Sequence, residues 1–166
     1  MTSGTAAPAT EVELEFLFES RVKLQLPALN LGMGPEGYRA IYFVKGGTFE
    51  GPKLKGRVVP GSGADWVRVR PDGSSHLDVR FCLETNNGAL LYVHWHGRFW
   101  ADAENLEYAR DFGKPDDPAG ADRYYFRSAP EFETADSRYA WLNRIVTVSK
   151  CRTGDGGVIH RVYAVK

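Results

Sequence analysis

Between the turn sequences Pro71-Asp72-Gly73 and Asn86-Asn87-Gly88, apolar and polar residues alternate without a break from His76 to Glu84. The alternation resumes after Gly88, with Leu91, Val93 and Trp95 on one face and Tyr92, His94 and His96 on the other. A period of two belongs to an extended strand and not to a helix, so this stretch is a β-hairpin closed by an Asn-Gly turn. Its polar face carries Asp78, Arg80 and Glu84 beside Tyr92 and His94. Directed into a closed barrel, that face rings a cavity with titratable groups; directed outward, it is a solvated surface. Alternation alone leaves the two directions open.

The remaining sequence reads in the same way. From Val12 to Leu26 the apolar set Val12, Leu14, Phe16, Phe18, Val22 and Leu24 faces Glu11, Glu13, Glu15, Glu19, Arg21 and Lys23, the pattern of a long half-buried antiparallel strand. A strand over Tyr38–Lys45 is expected to stop at Gly46-Gly47, and short strands follow at 53–59 and 66–70, each bounded by Gly or Pro. Leu106 and Ala109 share a face within Ala103–Phe112, which predicts a helix ending at Gly113. Strand composition returns at 124–132, and Trp141–Cys151 pairs with Val158–Val165 as a terminal hairpin. About nine strands at short spacing with one helix predict an all-β fold, a single antiparallel β-barrel or a tightly curved sandwich.

Composition narrows the partners. A chain of 166 residues is expected to form one domain over residues 11–166, burying roughly 70% of its unfolded surface. Its 21 basic and 21 acidic residues balance to zero net charge, so no basic stripe marks a nucleic-acid site. No apolar run is long enough for a membrane helix, and residues 1–10, small and polar, read as a disordered leader without signal-peptide character. The expected location is cytoplasmic. Cys82 and Cys151 read as free thiols.

Several local groups bear on chemistry. The segment from Gly46 to Gly51 has no following Lys-Ser/Thr and opens no helix, so it is not a phosphate loop; its glycines suit bends at a barrel corner. His94-x-His96 with Glu84 or Asp78 has the spacing of a strand-borne metal site, but no third and fourth ligands are specified, and no metal or other cofactor is expected. Asp65-Trp66 follows a Gly-rich loop, where the carboxylate is either a base at a barrel mouth or a turn cap. Tyr139-Ala140-Trp141-Leu142-Asn143-Arg144 offers rings and an amide to a ligand, or an aromatic plug to a barrel end. Neither a nucleophile elbow nor a dinucleotide fingerprint is present.

The ordered set Gly46-Gly47-Thr48-Phe49-Glu50-Gly51-Pro52, Val59-Pro60-Gly61, Ala64-Asp65-Trp66, Asp72-Gly73, Glu84-Thr85, Asn87-Gly88-Ala89, Tyr125-Phe126-Arg127 and Tyr139 to Arg144 resembles the bacterial uncharacterised protein family 0311, also called domain of unknown function 3237. The resemblance runs from about Leu14 to Val165. It implies one antiparallel barrel of the broad lipocalin or allene-oxide-cyclase type, expected to be homo-oligomeric, and it names no reaction.

The expected function is a cofactor-independent isomerase, cyclase or lyase that moves a proton on a hydrophobic carbonyl- or phenol-bearing small molecule. Asp65 or His94 is the expected base, Tyr92 the acid, and Arg80 and Asn143 the oxyanion stabilisers. Trp66, Trp141, Glu84 and Arg127 complete the expected binding set. The alternatives are a non-catalytic carrier or sensor of a hydrophobic metabolite and an oligomeric structural protein with a filled barrel.

Overall fold

Alternation, short turns and paucity of helix-forming runs give ten antiparallel strands in the computed structural model, which describes residues 10–166. They are β1 (Leu14–Leu24), β2 (Leu29–Gly34), β3 (Gly37–Glu50), β4 (Lys55–Val58), β5 (Ala64–Val69), β6 (Ser75–Thr85), β7 (Leu90–Trp100), β8 (Tyr125–Glu133), β9 (Thr147–Gly154) and β10 (Gly157–Val165). The expected leader lies outside the described residues except for Thr10. Neighbours run β1, β10, β9, β8, β7, β6, then β4 and β5 end to end, then β3, which pairs back onto β1. The sheet is therefore a closed antiparallel barrel of eight wall positions, with β2 continuing the lane of β1 along β3.

One long strand serves two neighbours on each side. β3 does so, pairing with β2 and β5 through its first half and with β1 and β4 through its second. Gly46 and Gly47, expected to end this strand, instead bend it: their φ values are 138° and 139°, and a Cβ on Gly47 would collide with the Arg21 carbonyl oxygen.

The hairpin β6–β7 forms with Asp78 opposite His96 and Arg80 opposite His94, and Gly88 takes the left-handed φ of 84° that its turn needs. Its apolar set, Leu77, Phe81, Leu83, Leu91, Val93 and Trp95, points inward and is at most 6% exposed. The polar set therefore points outward. Burying several charges inside a small barrel costs far more than burying leucines, and that difference decides the phase. In β1 a bulge between Phe16 and Phe18 reverses the phase midway. Phe18, Val22 and Leu24 are core as expected, whereas Leu14 is 55% exposed and Phe16 lies outside against Tyr163 and the Arg161 guanidinium.

The two barrel ends are closed differently. At one end the segment Ala140–Arg144, which overlaps the start of the strand expected from Trp141, is a 3-10 helix that buries Leu142. At the other, the predicted helix shortens to α1 (Leu106–Arg110), followed by a second 3-10 turn at Pro118–Asp122. This connection is tied to the β9–β10 turn: Gly156 N–H donates to the Phe112 carbonyl, and Arg152 holds both oxygens of Asp116 at 2.5 and 2.8 Å. Asp116 also accepts from Arg21, and Arg152 also meets Glu19.

Arg152 is only 6% exposed, so removing its main partner strands a buried charge. Asp116→Ala is expected to cost about 2–3 kcal/mol, below the full penalty because Glu19 still faces Arg152. Urea unfolding of the variant checks this, and an unchanged midpoint would refute the anchoring role.

Candidate functional site

Antiparallel register sets which side chains share the α1 end of the barrel. Tyr42 lies opposite Asp65, Ala40 opposite Val67 and Tyr38 opposite Val69 along β3 and β5. These residues face inward into a cavity of about 410 Å³ whose apolar walls include Leu24, Leu77, Phe99, Phe126 and Val158. Asn30, Ser75 and Arg110 add polar groups, and Phe112 closes the side next to Tyr42 with ring centroids 5.2 Å apart. Volume and lining match a small-molecule site.

Asp65 occupies a break in the wall. β5 and β6 pair at Ala64–Arg80 and Asp65–Val79 and again at Arg68–His76 and Val69–Ser75, but not between. Across that break Asp65 Oδ1 accepts the Asp78 N–H at 3.3 Å. Burial pushes the Asp65 carboxyl up to about 7, against the Asp78 N–H, which favours the anion, and with some help from the Asp78 charge. Near neutrality this group therefore both accepts and donates a proton. Burial also raises the Tyr42 hydroxyl above its ordinary value, opposed by the Arg110 charge, so the phenol stays a neutral donor.

Beneath the pocket lies a space of about 30 Å³ that shares Leu24, Asp65, Leu77, Phe126 and Val158 with it. Trp95 and His160 line this space, their rings 4.3 Å apart. His160 Nδ1 meets the Ser20 hydroxyl at 3.1 Å, and burial holds its imidazole down at about 3, hence neutral.

Of the residues singled out in the sequence, Asp65 alone lines the pocket. Tyr92, His94 and Arg80 stand on the outer surface, opposite to the facing their expected roles require, because the apolar set of the hairpin fills the barrel. His94 Nε2 meets Asp78 Oδ1 at 2.8 Å, and Arg80 bonds the same carboxylate at 3.2 and 3.3 Å. Burial works to raise the Asp78 carboxyl, but His94 and Arg80 outweigh it and hold it below its usual range.

Asn143 spends its whole amide on the Thr134 backbone at the far end, with both contacts 2.9 Å. Trp66, next to Asp65, points out through strand alternation and is 36% exposed. Trp141 sits at the far end under Lys53, whose Nζ lies 5.4 Å from the ring. Glu84 pairs with Arg57 across β4 and β6, and Arg127 covers the Tyr125 ring at 5.2 Å.

Asp78, His94 and His96 do bring ligand atoms within 4.8 Å of one another, supplying the third ligand that sequence spacing left unspecified. Arg80 Nε lies 3.4 Å from His94 Nε2, so the cluster already holds a positive charge that opposes a cation. The residues that sequence reasoning missed are Tyr42, within the expected strand Tyr38–Lys45, Arg110, within the expected helix Ala103–Phe112, and the pair Trp95 and His160 in the space beneath. Asp65 was their only local signal, since the Tyr42–Asp65 pairing depends on register between distant segments.

A carboxyl raised from an unfolded value of about 3.8 to about 7 binds more protons folded than unfolded. Its stabilising contribution is fully present below pH 4 and is lost as pH rises towards 7, by up to about 4 kcal/mol. Asp65→Asn keeps the acceptor for the Asp78 N–H and removes the charge. The variant is expected to gain stability relative to the parent between pH 4.5 and pH 8, measured by urea unfolding at both; a pH-independent difference would contradict the raised value.

Comparisons with known proteins place this architecture. A β-barrel-like protein from Acinetobacter baumannii is 37% identical, with a TM-score of 0.80 over 97% of this chain and 100% of its own. A structure described as an enzyme from Penicillium herquei, 19% identical over 98% of this chain and 100% of its own, has a TM-score of 0.70, a likeness of fold. The UPF0311 protein of Rhodopseudomonas palustris (strain CGA009) is 33% identical over 153 residues, covering 92% of this chain and 95% of that protein. The family model described as protein of unknown function (DUF3237) matches residues 12–165, and the chain belongs to that family.

Proposed function

We propose that the pocket binds a mainly apolar small molecule carrying a carbonyl or phenol, and that Asp65 moves a proton on it in a cofactor-independent isomerisation, cyclisation, lyase or addition step. The observation that carries this reading is a carboxyl raised to about 7 at the wall of a mainly apolar pocket, directly across the strand pair from Tyr42. Asp65 abstracts the proton as its anion and returns it as the acid. Tyr42, directly across the strand pair, takes the donor role that sequence analysis gave Tyr92, and Arg110 takes the anion-stabilising role given Arg80. In surroundings of low polarity, a fixed cation and a neutral phenol stabilise a developing oxyanion more than water does.

A carrier or sensor of the same metabolite is the rival reading, since the apolar lining serves it equally well. It needs no group poised between two protonation states. The reading takes the protein as a cytoplasmic homo-oligomer, on composition and family resemblance. No described helix is long and apolar enough to cross a membrane.

The test is carbon-bound hydrogen exchange. A panel of two-ring ketones and phenols in D2O, followed by NMR, is expected to include compounds whose exchange the protein accelerates, with an apparent pKa near 7. Asp65→Asn should lower that rate by roughly a hundredfold or more, and His94→Ala should leave it unchanged. Equal rates in the parent and Asp65→Asn, or no acceleration across the panel, would leave the carrier reading in its place.

A further inference from the structure

The pocket floor holds a polar group that the protein leaves without a partner. Trp95 is 1% exposed, and its Nε1–H makes no hydrogen bond among the described residues. Native proteins pair nearly all buried donors, because an unpaired one costs about 1–3 kcal/mol. The orphaned indole borders the space of about 30 Å³, enough for one water-sized group. His160 borders the same space, its Nδ1 occupied by Ser20, and no hydrogen bond to its Nε2 is found among the described residues. Asp65 stands on the wall common to this space and the pocket above.

We propose that this space is an oxygen subsite, in which the Trp95 indole N–H donates to a neutral carbonyl or hydroxyl oxygen of the ligand, with His160 facing the same atom. The proposal rests on the pocket above being a ligand site, and it does not require that the site be catalytic. The ligand it selects carries one oxygen at the end of a flat apolar body, since the walls leading down are Leu24, Leu77, Phe126 and Val158. A carboxylate is disfavoured at this depth: no Lys or Arg borders the space, and ionised Asp65 repels an anion. An oxygen held here puts the adjoining carbons of the ligand beside Asp65, where a proton α to a carbonyl or ortho to a phenol is transferred.

The probes are 2-tetralone and its deoxygenated counterpart tetralin, compared by calorimetry on the full chain. The parent protein is expected to bind the ketone at least tenfold more tightly, and Trp95→Phe to narrow that preference below threefold while keeping tetralin affinity within twofold. In the parent, the Trp95 indole N–H resonance should move downfield with 2-tetralone and not with tetralin. That second measurement decides the matter if Trp95→Phe fails to fold.

Equal affinity for the two probes, an unmoved indole resonance, a folded Trp95→Phe that keeps the preference, or no binding of either probe at millimolar concentration would overturn the subsite. Asp65→Asn should retain the ketone preference. A retained preference without hydrogen exchange would thus remove the catalytic reading alone, and exchange without the preference would remove the subsite alone.

Discussion

Ring closure of the sheet is the constraint from which the rest follows. Once β1 meets β3, every strand has an inside and an outside, and alternate residues must commit to one or the other. Eight wall positions enclose a space that side chains nearly fill, so the inward phase falls to the bulkiest apolar set of each strand. For β6 and β7 this sends Phe81, Leu83, Leu91, Val93 and Trp95 in and leaves Asp78, Arg80, His94 and His96 on the outer face. The bend at Gly46-Gly47 and the bulge at Phe16–Phe18 are the irregularities in β3 and β1 that accompany closure.

The ends of the barrel distribute stability and function unevenly. The far end is solid, with Phe18 packed on both Phe49 and Phe132, and Asn143 locking the 3-10 helix onto Thr134. The α1 end stays hollow, and its cover comes from a connection with little helix of its own. That cover is fixed by polar ties at its edges: Arg152 on Asp116, the Thr153 hydroxyl on the Ala109 carbonyl, and Tyr108 on Asp117. These ties hold Arg110 and Phe112 over the cavity without filling it.

Legibility in sequence followed the range of the interaction that decides each feature. The β6–β7 hairpin was readable because alternation and an Asn-Gly turn are local, and Asp65 was readable as a carboxylate entering a strand from a glycine-rich loop. Its partners were not. Tyr42 sits in an unbroken run of large residues, and only the β3–β5 register, joining segments more than twenty residues apart, sets it against Asp65. Gly46-Gly47 reads identically whether a strand ends or bends, and the outcome depended on β1 and β4 arriving to pair beyond it. The polar hairpin face was the most visible feature and lay outside the barrel, since local pattern separates two faces without saying which one the ring encloses.

Asp65, Trp95 and His160 share a stability cost that packing alone would have removed. A barrel selected only to fold would place apolar residues at all three positions, because each buried polar group is favourable only when paired. Here one is paired by a single backbone N–H, one by a single serine, and one by nothing within the described chain. The three converge on one end of one cavity, whereas the buried polar residues toward the far end, Thr85, Thr134 and Thr147, each have hydrogen-bond partners within the chain. An unpaired indole N–H at the floor of a hollow is what a ligand oxygen would complete, and the proposed subsite sets the specificity of this barrel at its depth, not at its rim.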